Sequence, residues 1–252
     1  MPDDVPTDSP TRKGGLVVAP GGFATAGRRV RSWTTPPAPQ RQLSPQEAME
    51  IVESLGEVDL RAPFLNLQLI LDLSGSMWGG NDALGLRFEL ALLAIQALAA
   101  GPKRRVPRLL PRIAVEVFTF DLSTHLDTPS IRVDRAGLKQ LENLLLSAPL
   151  GGSSALGPAL DKADSTLKTP CLRVIETDFE LLDPDPQAVI AAVGASPVDH
   201  TVAMSFRSAP PQELGGERVT VHHIDPERDD RSVVARHIVD AARLLDQGLA
   251  AT

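Results

Sequence analysis

The sequence predicts an α/β fold: three layers, doubly wound, with a mostly parallel central sheet between helices. Two observations carry this. Strand-length apolar runs alternate with helix-length periodic segments from Leu67 to the end of the chain. The first run, Leu67, Leu69, Ile70 and Leu71, leads directly into Asp72, Ser74 and Ser76 at i, i+2 and i+4. A carboxylate and two hydroxyls at the carboxyl end of a buried strand stand where open α/β sheets bind ligands.

Composition bounds the rest. At 252 residues, 42% hydrophobic and 23% charged, the chain has the make-up of a globular protein with one large domain or two small ones. A net charge of -7 argues against a general nucleic-acid binder. No run approaches the ~20 apolar residues of a membrane span. The acidic, Pro-rich opening MPDDVPTDSP is unlike a signal peptide, and the single Cys171 has no internal disulfide partner, so a cytoplasmic protein is expected. The Pro- and Ala-rich composition would suit a high-GC bacterium.

Residues 1–42 are Pro-, Gly-, Ser- and Thr-rich without hydrophobic period and read as a disordered tail. Arg28, Arg29, Arg31 and Trp33 make a small basic-aromatic patch there, read as a solvated tail, with a docking peptide for an acidic partner as the sharper reading. A leading segment, 43–60, holds the first helix. Ser44 caps it, Pro45 fits its first position, Glu47 completes a capping box, and Gly56 ends it after the stripe Ala48, Ile51, Val52 and Leu55. The main domain is then 61–252.

Within that domain the Asp72 strand is followed by a helix over Asp82–Ala100, apolar on nearly every side and stopped by Gly101-Pro102. A basic connection, Lys103 to Arg112, leads to a second strand through Ile113, Val115, Val117, Phe118 and Phe120. Glu116 inside that strand needs a partner, and an arginine of the basic connection is the expected one. Pro129 suits an edge strand over the stretch to Val133. Asp134 caps a helix with Leu138, Leu141, Leu144 and Leu145 in phase. After Gly151, Gly152 and Ser153 a helix runs from about Ala155 to Leu167, and a strand over Cys171–Thr177 runs into Asp178. Glu180, Asp183 and Asp185 read as solvated caps of the following helix, Pro186–Val193, with an acidic collar around an ion as the minority reading. Strands at Val198–Phe206 and Val219–Ile224 and a closing helix, Arg231–Gln247 with Gly248 placed to end it, complete the chain. His222 and His223 adjoin on a strand, so they face opposite sides and do not share a metal.

The run Asn66–Gly80, NLQLILDLSGSMWGG, resembles the first motif of the von Willebrand factor A domain, that family's metal-ion-dependent adhesion site. Gly151-Gly152-Ser153 resembles the second motif, usually Gly-Gly-Thr, with Ser for Thr. Thr177-Asp178 matches the third, often Thr-Asp-Gly, with Phe179 in place of glycine. The resemblance covers about Asn66–Gln247 and implies a short antiparallel edge strand near Pro129. It also implies a Mg²⁺ (or Mn²⁺) site in which Ser74, Ser76 and Ser153 supply hydroxyls and Asp72 and Asp178 hold the ion directly or through water. Such an ion would bind the Asp or Glu of a partner protein. An all-oxygen set of this kind suits Mg²⁺ rather than zinc. Intracellular bacterial relatives serve beside AAA+ ATPases, kinases or conflict-system effectors, so an adaptor or recruiting module is expected, and no enzyme. Two alternatives stand beside it. One is an A domain that binds partners without metal, motivated by Ser153 and Phe179. The other is a Mg²⁺-dependent haloacid-dehalogenase-type phosphatase with Asp72 as nucleophile, although Ser74 stands where that family wants a second Asp.

Overall fold

Alternating apolar residues build a sheet with two covered faces. The computed structural model describes residues 43–77, 84–101, 112–120, 129–146, 148 and 154–250. The tail 1–42 with its basic-aromatic patch, Asp82, the basic connection 103–111 and the loop Gly151–Ser153 lie outside the described residues. The elements run α1 (Pro45–Leu55), β1 (Phe64–Asp72), a 3₁₀ turn (Gly75–Met77), α2 (Arg87–Ala100), β2 (Arg112–Phe120), β3 (Ile131–Arg132), α3 (Arg135–Leu146), α4 (Gly157–Ser165), β4 (Cys171–Thr177), α5 (Pro186–Ala195), β5 (His200–Phe206), β6 (Val219–Ile224) and α6 (Val233–Ala250). The sheet order is β3-β2-β1-β4-β5-β6. All neighbours pair in parallel except β2 and β3, which gives the short antiparallel edge.

Period-2 alternation splits the core. On β1, Leu67, Leu69 and Leu71 join the larger apolar cluster with α1, α2 and α6, while Ile70 joins a second cluster with α4 and α5 residues such as Leu160 and Ile190. α2 carries apolar residues all round and is buried along most of its length, as a helix between neighbours must be. α1 has the expected capping box, with Glu47 N donating to Ser44 Oγ (3.2 Å) and Ser44 N to Glu47 Oε2 (2.9 Å). Its Ile51 and Leu55 sit in the larger cluster. Arg243 of α6 donates to Leu55 O, and Arg231 pairs with Glu47 (2.9 Å). Asp246 of α6, buried, accepts from the backbone of Arg61 and Ala62 and so fixes the entry into β1.

Several expectations need correction. α2 begins at Arg87, not Asp82: Leu84–Leu86 form a turn, because the Arg87 side chain takes Leu84 O (2.9 Å). α4 is shorter than expected, its entry shaped by Pro158 at the first turn. Gly248 does not end α6, which continues to Ala250; an interior helical glycine loses only about 1 kcal/mol relative to alanine. Among the described residues Glu116 is met by Thr166 Oγ1 at 3.0 Å and Lys168 Nζ at 3.5 Å from the exit of α4 and by Gln68 Nε2 at 3.3 Å on β1, while Arg104, Arg105 and Arg108 of the basic connection lie outside the described residues. Asp183 is buried rather than solvated, and its carboxylate accepts from Leu156 N (2.8 Å) and Gly157 N (2.9 Å) at the start of α4. Asp185 does cap α5, through Ala188 N.

The order places a switch point between β1 and β4. β1 continues toward β2 on one side, and β4 toward β5 on the other. The crevice beyond the carboxyl ends of these two central strands is the ligand position of a doubly wound sheet.

Candidate functional site

The site forms where β1 and β4 end. The register Leu71↔Glu176 leaves Asp72 and Thr177 as next neighbours across the switch point. Asp72 is wholly buried. Its Oδ1 accepts from Ser74 N (2.8 Å), and its Oδ2 accepts from Thr177 Oγ1 (2.7 Å) and Ser154 Oγ (3.0 Å). Burial pushes the Asp72 carboxyl upward, hydrogen bonds from Ser74 and Thr177 oppose that shift, and the charge of Asp178 adds to it.

Beyond Asp72 the chain turns once in a 3₁₀ turn, with Met77 N donating to Ser74 O (3.1 Å). This brings Ser74 Oγ and Ser76 Oγ to 3.0 Å. Ser74 is buried and Ser76 exposed, so the pair of hydroxyls runs from the floor of the site to its surface. The backbone folds back at Gly75. The 3₁₀ turn does this without a left-handed glycine, and a Cβ at position 75 would meet nothing within 4 Å.

On the β4 side, the Thr177 hydroxyl also accepts from Phe179 N (3.0 Å), and buried Asp178 accepts from Glu180 N (3.0 Å) through Oδ1. Phe179 has φ 56°, a backbone state that favours glycine, and its ring packs on the second apolar cluster. The aromatic residue therefore keeps a glycine-type loop and draws its ring toward the core.

Asp72, Ser74 and Ser76 thus come together, and Asp178 lies within electrostatic reach of Asp72. Ser153 lies outside the described residues, and its neighbour Ser154 touches Asp72. Ser154 is itself held by the Asp183 cap two residues on and by Leu182 N, which donates to Ser154 O.

Sequence reading missed four contributors: Ser154, Asp183, Arg87 and Arg207. Arg87, in the first turn of α2, donates from Nη1 to Met77 O (2.7 Å) and from Nη2 to Asp72 O (3.1 Å). Arg207, after β5, has φ 65° and donates to Ser76 O (2.9 Å). Of these only Ser154, a hydroxyl next to the proposed motif, had a signal in the sequence. The others act on backbone groups, which every residue carries.

The side chains that donate to the Asp72 carboxylate, those of Thr177 and Ser154, offer oxygen, as do Ser74 and Ser76. Among the described residues no three His, Cys, Asp or Glu side chains converge as a metal site. The 3.0 Å between Ser74 Oγ and Ser76 Oγ matches the edge of an octahedron with bonds of about 2.1 Å, the Mg²⁺ length. The donor set therefore fits a small hard cation.

No model of a known protein family matches the sequence, and no curated protein matches it. Solved structures do. The chain is similar to a von Willebrand factor type A protein from Catenulispora acidiphila, with 16% identity and a TM-score of 0.50, over 73% of this chain and 43% of that one. It is similar to proximal thread matrix protein 1 from the mussel byssus, with 15% identity and a TM-score of 0.50, over 75% of this chain and 47% of that one. The matches span less than half of either relative. The mussel protein has also been solved with a zinc-occupied MIDAS motif. At these identities the likeness is one of fold, and the chain has the von Willebrand factor A fold.

Proposed function

We propose that the protein is a cation-dependent protein-interaction module. A Mg²⁺ or Mn²⁺ ion would sit against the Ser74 and Ser76 hydroxyls, with a third hydroxyl from Ser154 or Ser153, and with Asp72 and Asp178 holding it directly or through water. The ion would supply an electrophilic coordination position for the Asp or Glu of a partner protein. The observation that carries this reading is the Ser74–Ser76 hydroxyl pair at 3.0 Å beside the buried Asp72 carboxylate. Few direct carboxylates leave such an ion able to attract an acid across an interface. An adaptor or recruiting role beside an AAA+ ATPase, kinase or conflict-system assembly in the cytoplasm is the setting that suits such a module.

Calorimetry with Mg²⁺ and Mn²⁺ tests it, wild type against Asp72→Ala. Heat of binding in the wild type and none in the variant is expected. Capture of partners with and without EDTA tests the second half, and recovery of the same partners under both conditions would count against ion-gated recruitment.

A second reading has its own observation. Both Asp72 oxygens already accept hydrogen bonds from protein groups, so the carboxylate is satisfied without an ion. The module would then bind partners as a metal-independent scaffold, and absence of any heat in the wild type would favour it. The same hydrogen bonds and the burial of Asp72 weigh against the phosphatase alternative, which needs a carboxylate presented to substrate. Lack of Asp72-dependent turnover of a generic phosphoester in Mg²⁺ is the expected result.

A further inference from the structure

Arg87 is almost wholly buried, at 1% exposure, in the first turn of α2. Taking a guanidinium out of water is expensive unless its donors are used. Here three of its contacts are backbone carbonyls: Met77 O (2.7 Å), Leu84 O (2.9 Å) and Asp72 O (3.1 Å). These come from the end of β1, the end of the serine turn and the approach to α2. One side chain therefore gathers both ends of the connection that carries Ser74 and Ser76. The guanidinium carbon lies 4.3 Å from the centre of the Phe88 ring, which covers one face. Nε has no hydrogen-bond partner and points to Glu176, 3.8 Å away. Glu176 is buried, with neither carboxylate oxygen hydrogen-bonded, and its charge attracts the guanidinium.

We infer that Arg87 is a positioning residue for the site. Its planar fork fixes the shape of the Asp72–Met77 turn, and through that shape the spacing of the Ser74 and Ser76 hydroxyls, while Glu176 holds the fork in place from β4. A lysine has the charge but only one nitrogen, so it cannot reach carbonyls spread over both arms of the fork. The consequence for cation binding rests on the reading of the turn as a cation socket; the consequence for the turn itself does not.

The test uses the full chain and the variants Arg87→Lys and Arg87→Met. Backbone hydrogen exchange is measured without added metal, and Mn²⁺ binding is measured by calorimetry. Faster exchange at Leu73–Met77 is expected in both variants, with β5 exchanging as in the wild type, and Mn²⁺ affinity should fall by about tenfold or more, as for other residues that orient metal ligands. Unchanged exchange at Leu73–Met77 in Arg87→Lys would overturn the inference. So would loosening spread evenly over the domain, failure of Arg87→Lys to fold, or a looser turn with unaltered Mn²⁺ affinity. Failure of Arg87→Met alone to fold leaves Arg87→Lys to decide. If the wild type binds no Mn²⁺, the cation reading falls, and the exchange measurement still decides whether Arg87 shapes the turn.

Discussion

Thr177 Oγ1, at the end of β4, donates to Asp72 Oδ2 on the neighbouring strand at 2.7 Å. The two residues are 105 positions apart in sequence. The bond joins the first and third motif segments directly and lies across the switch point of the sheet.

Its removal should be felt as the loss of a hydrogen bond to a buried charged group. Thr177→Val keeps the shape of the side chain and leaves Asp72 with less compensation for its burial. We expect a loss of about 1.5–3 kcal/mol by urea unfolding at pH 7. Thr177→Ser, which restores the hydroxyl, should recover most of it. Equal losses in both variants would mean that packing, not the bond, is what matters there.

Asp183 should control the site from a distance. Its carboxylate caps α4 through Leu156 N and Gly157 N, and the capped segment carries Ser154 to Asp72. The fit is close, since a Cβ on Gly157 would lie 2.9 Å from Asp183 Oδ1. Asp183→Ala should lower stability by about 1–2 kcal/mol, the usual worth of a cap, and weaken Mn²⁺ binding measured by calorimetry. Asp185→Ala removes the exposed cap of α5 instead and should leave Mn²⁺ binding alone. Matching effects of the two variants on Mn²⁺ would break the link between the α4 cap and the site.

These contrasts explain what could be read in the sequence. The strands around Leu69 and Val174 and the Ser44–Glu47 box were legible, because periodicity and capping are written in residue types over a few positions. The Asp72, Ser74 and Ser76 cluster was legible for the same reason. Arg87 and Asp183 were not, because they bind carbonyls and amides, which every residue carries. The contact of Ser154 with Asp72 was beyond sequence spacing, since Ser153 and Ser154 are consecutive hydroxyls after one glycine pair. Glu116 was rightly expected to need partners, but the pairing of β2 beside β1 and the packing of α4 decide which ones. Phe179 looked like a departure from a glycine position, yet its φ of 56° retains the backbone that glycine would adopt.

Glu89 offers a stability test independent of the site. It lies in the first turn of α2, buried, with neither carboxylate oxygen hydrogen-bonded. Burial pushes its carboxyl up to about 7 from an ordinary 4.5. The folded state therefore holds a proton that the unfolded chain releases between these values, and stability falls as pH rises through that window. Glu89→Gln is neutral at every pH. It should unfold at a higher temperature than the wild type at pH 8, by an amount equivalent to about 1–3 kcal/mol, and the gap should close near pH 5. A gap that is the same at both pH values would show that burial of the charge is not its cause.

The histidines of β6 and α6 should give the opposite slope. His222 and His237 stack with ring centres 3.5 Å apart and planes 15° apart. Burial pushes both below their ordinary range, His237 to about 4, where a charge on His222 and Arg236 would also oppose its protonation and Asp240 and Asp229 favour it. The folded pair is neutral at pH 7, and the unfolded chain takes up protons near the ordinary 6.5. As pH falls from there toward about 4, the unfolded state binds more protons and the fold loses stability. His237→Phe keeps an aromatic ring against His222 and removes one titrating group. Thermal unfolding of the two proteins at pH 7.5, 6 and 5 should show the wild type losing ground to the variant at each step. Carboxylates elsewhere titrate in both proteins and drop out of the difference, so parallel curves would mean that this stack packs the closing helix without making it sensitive to acid.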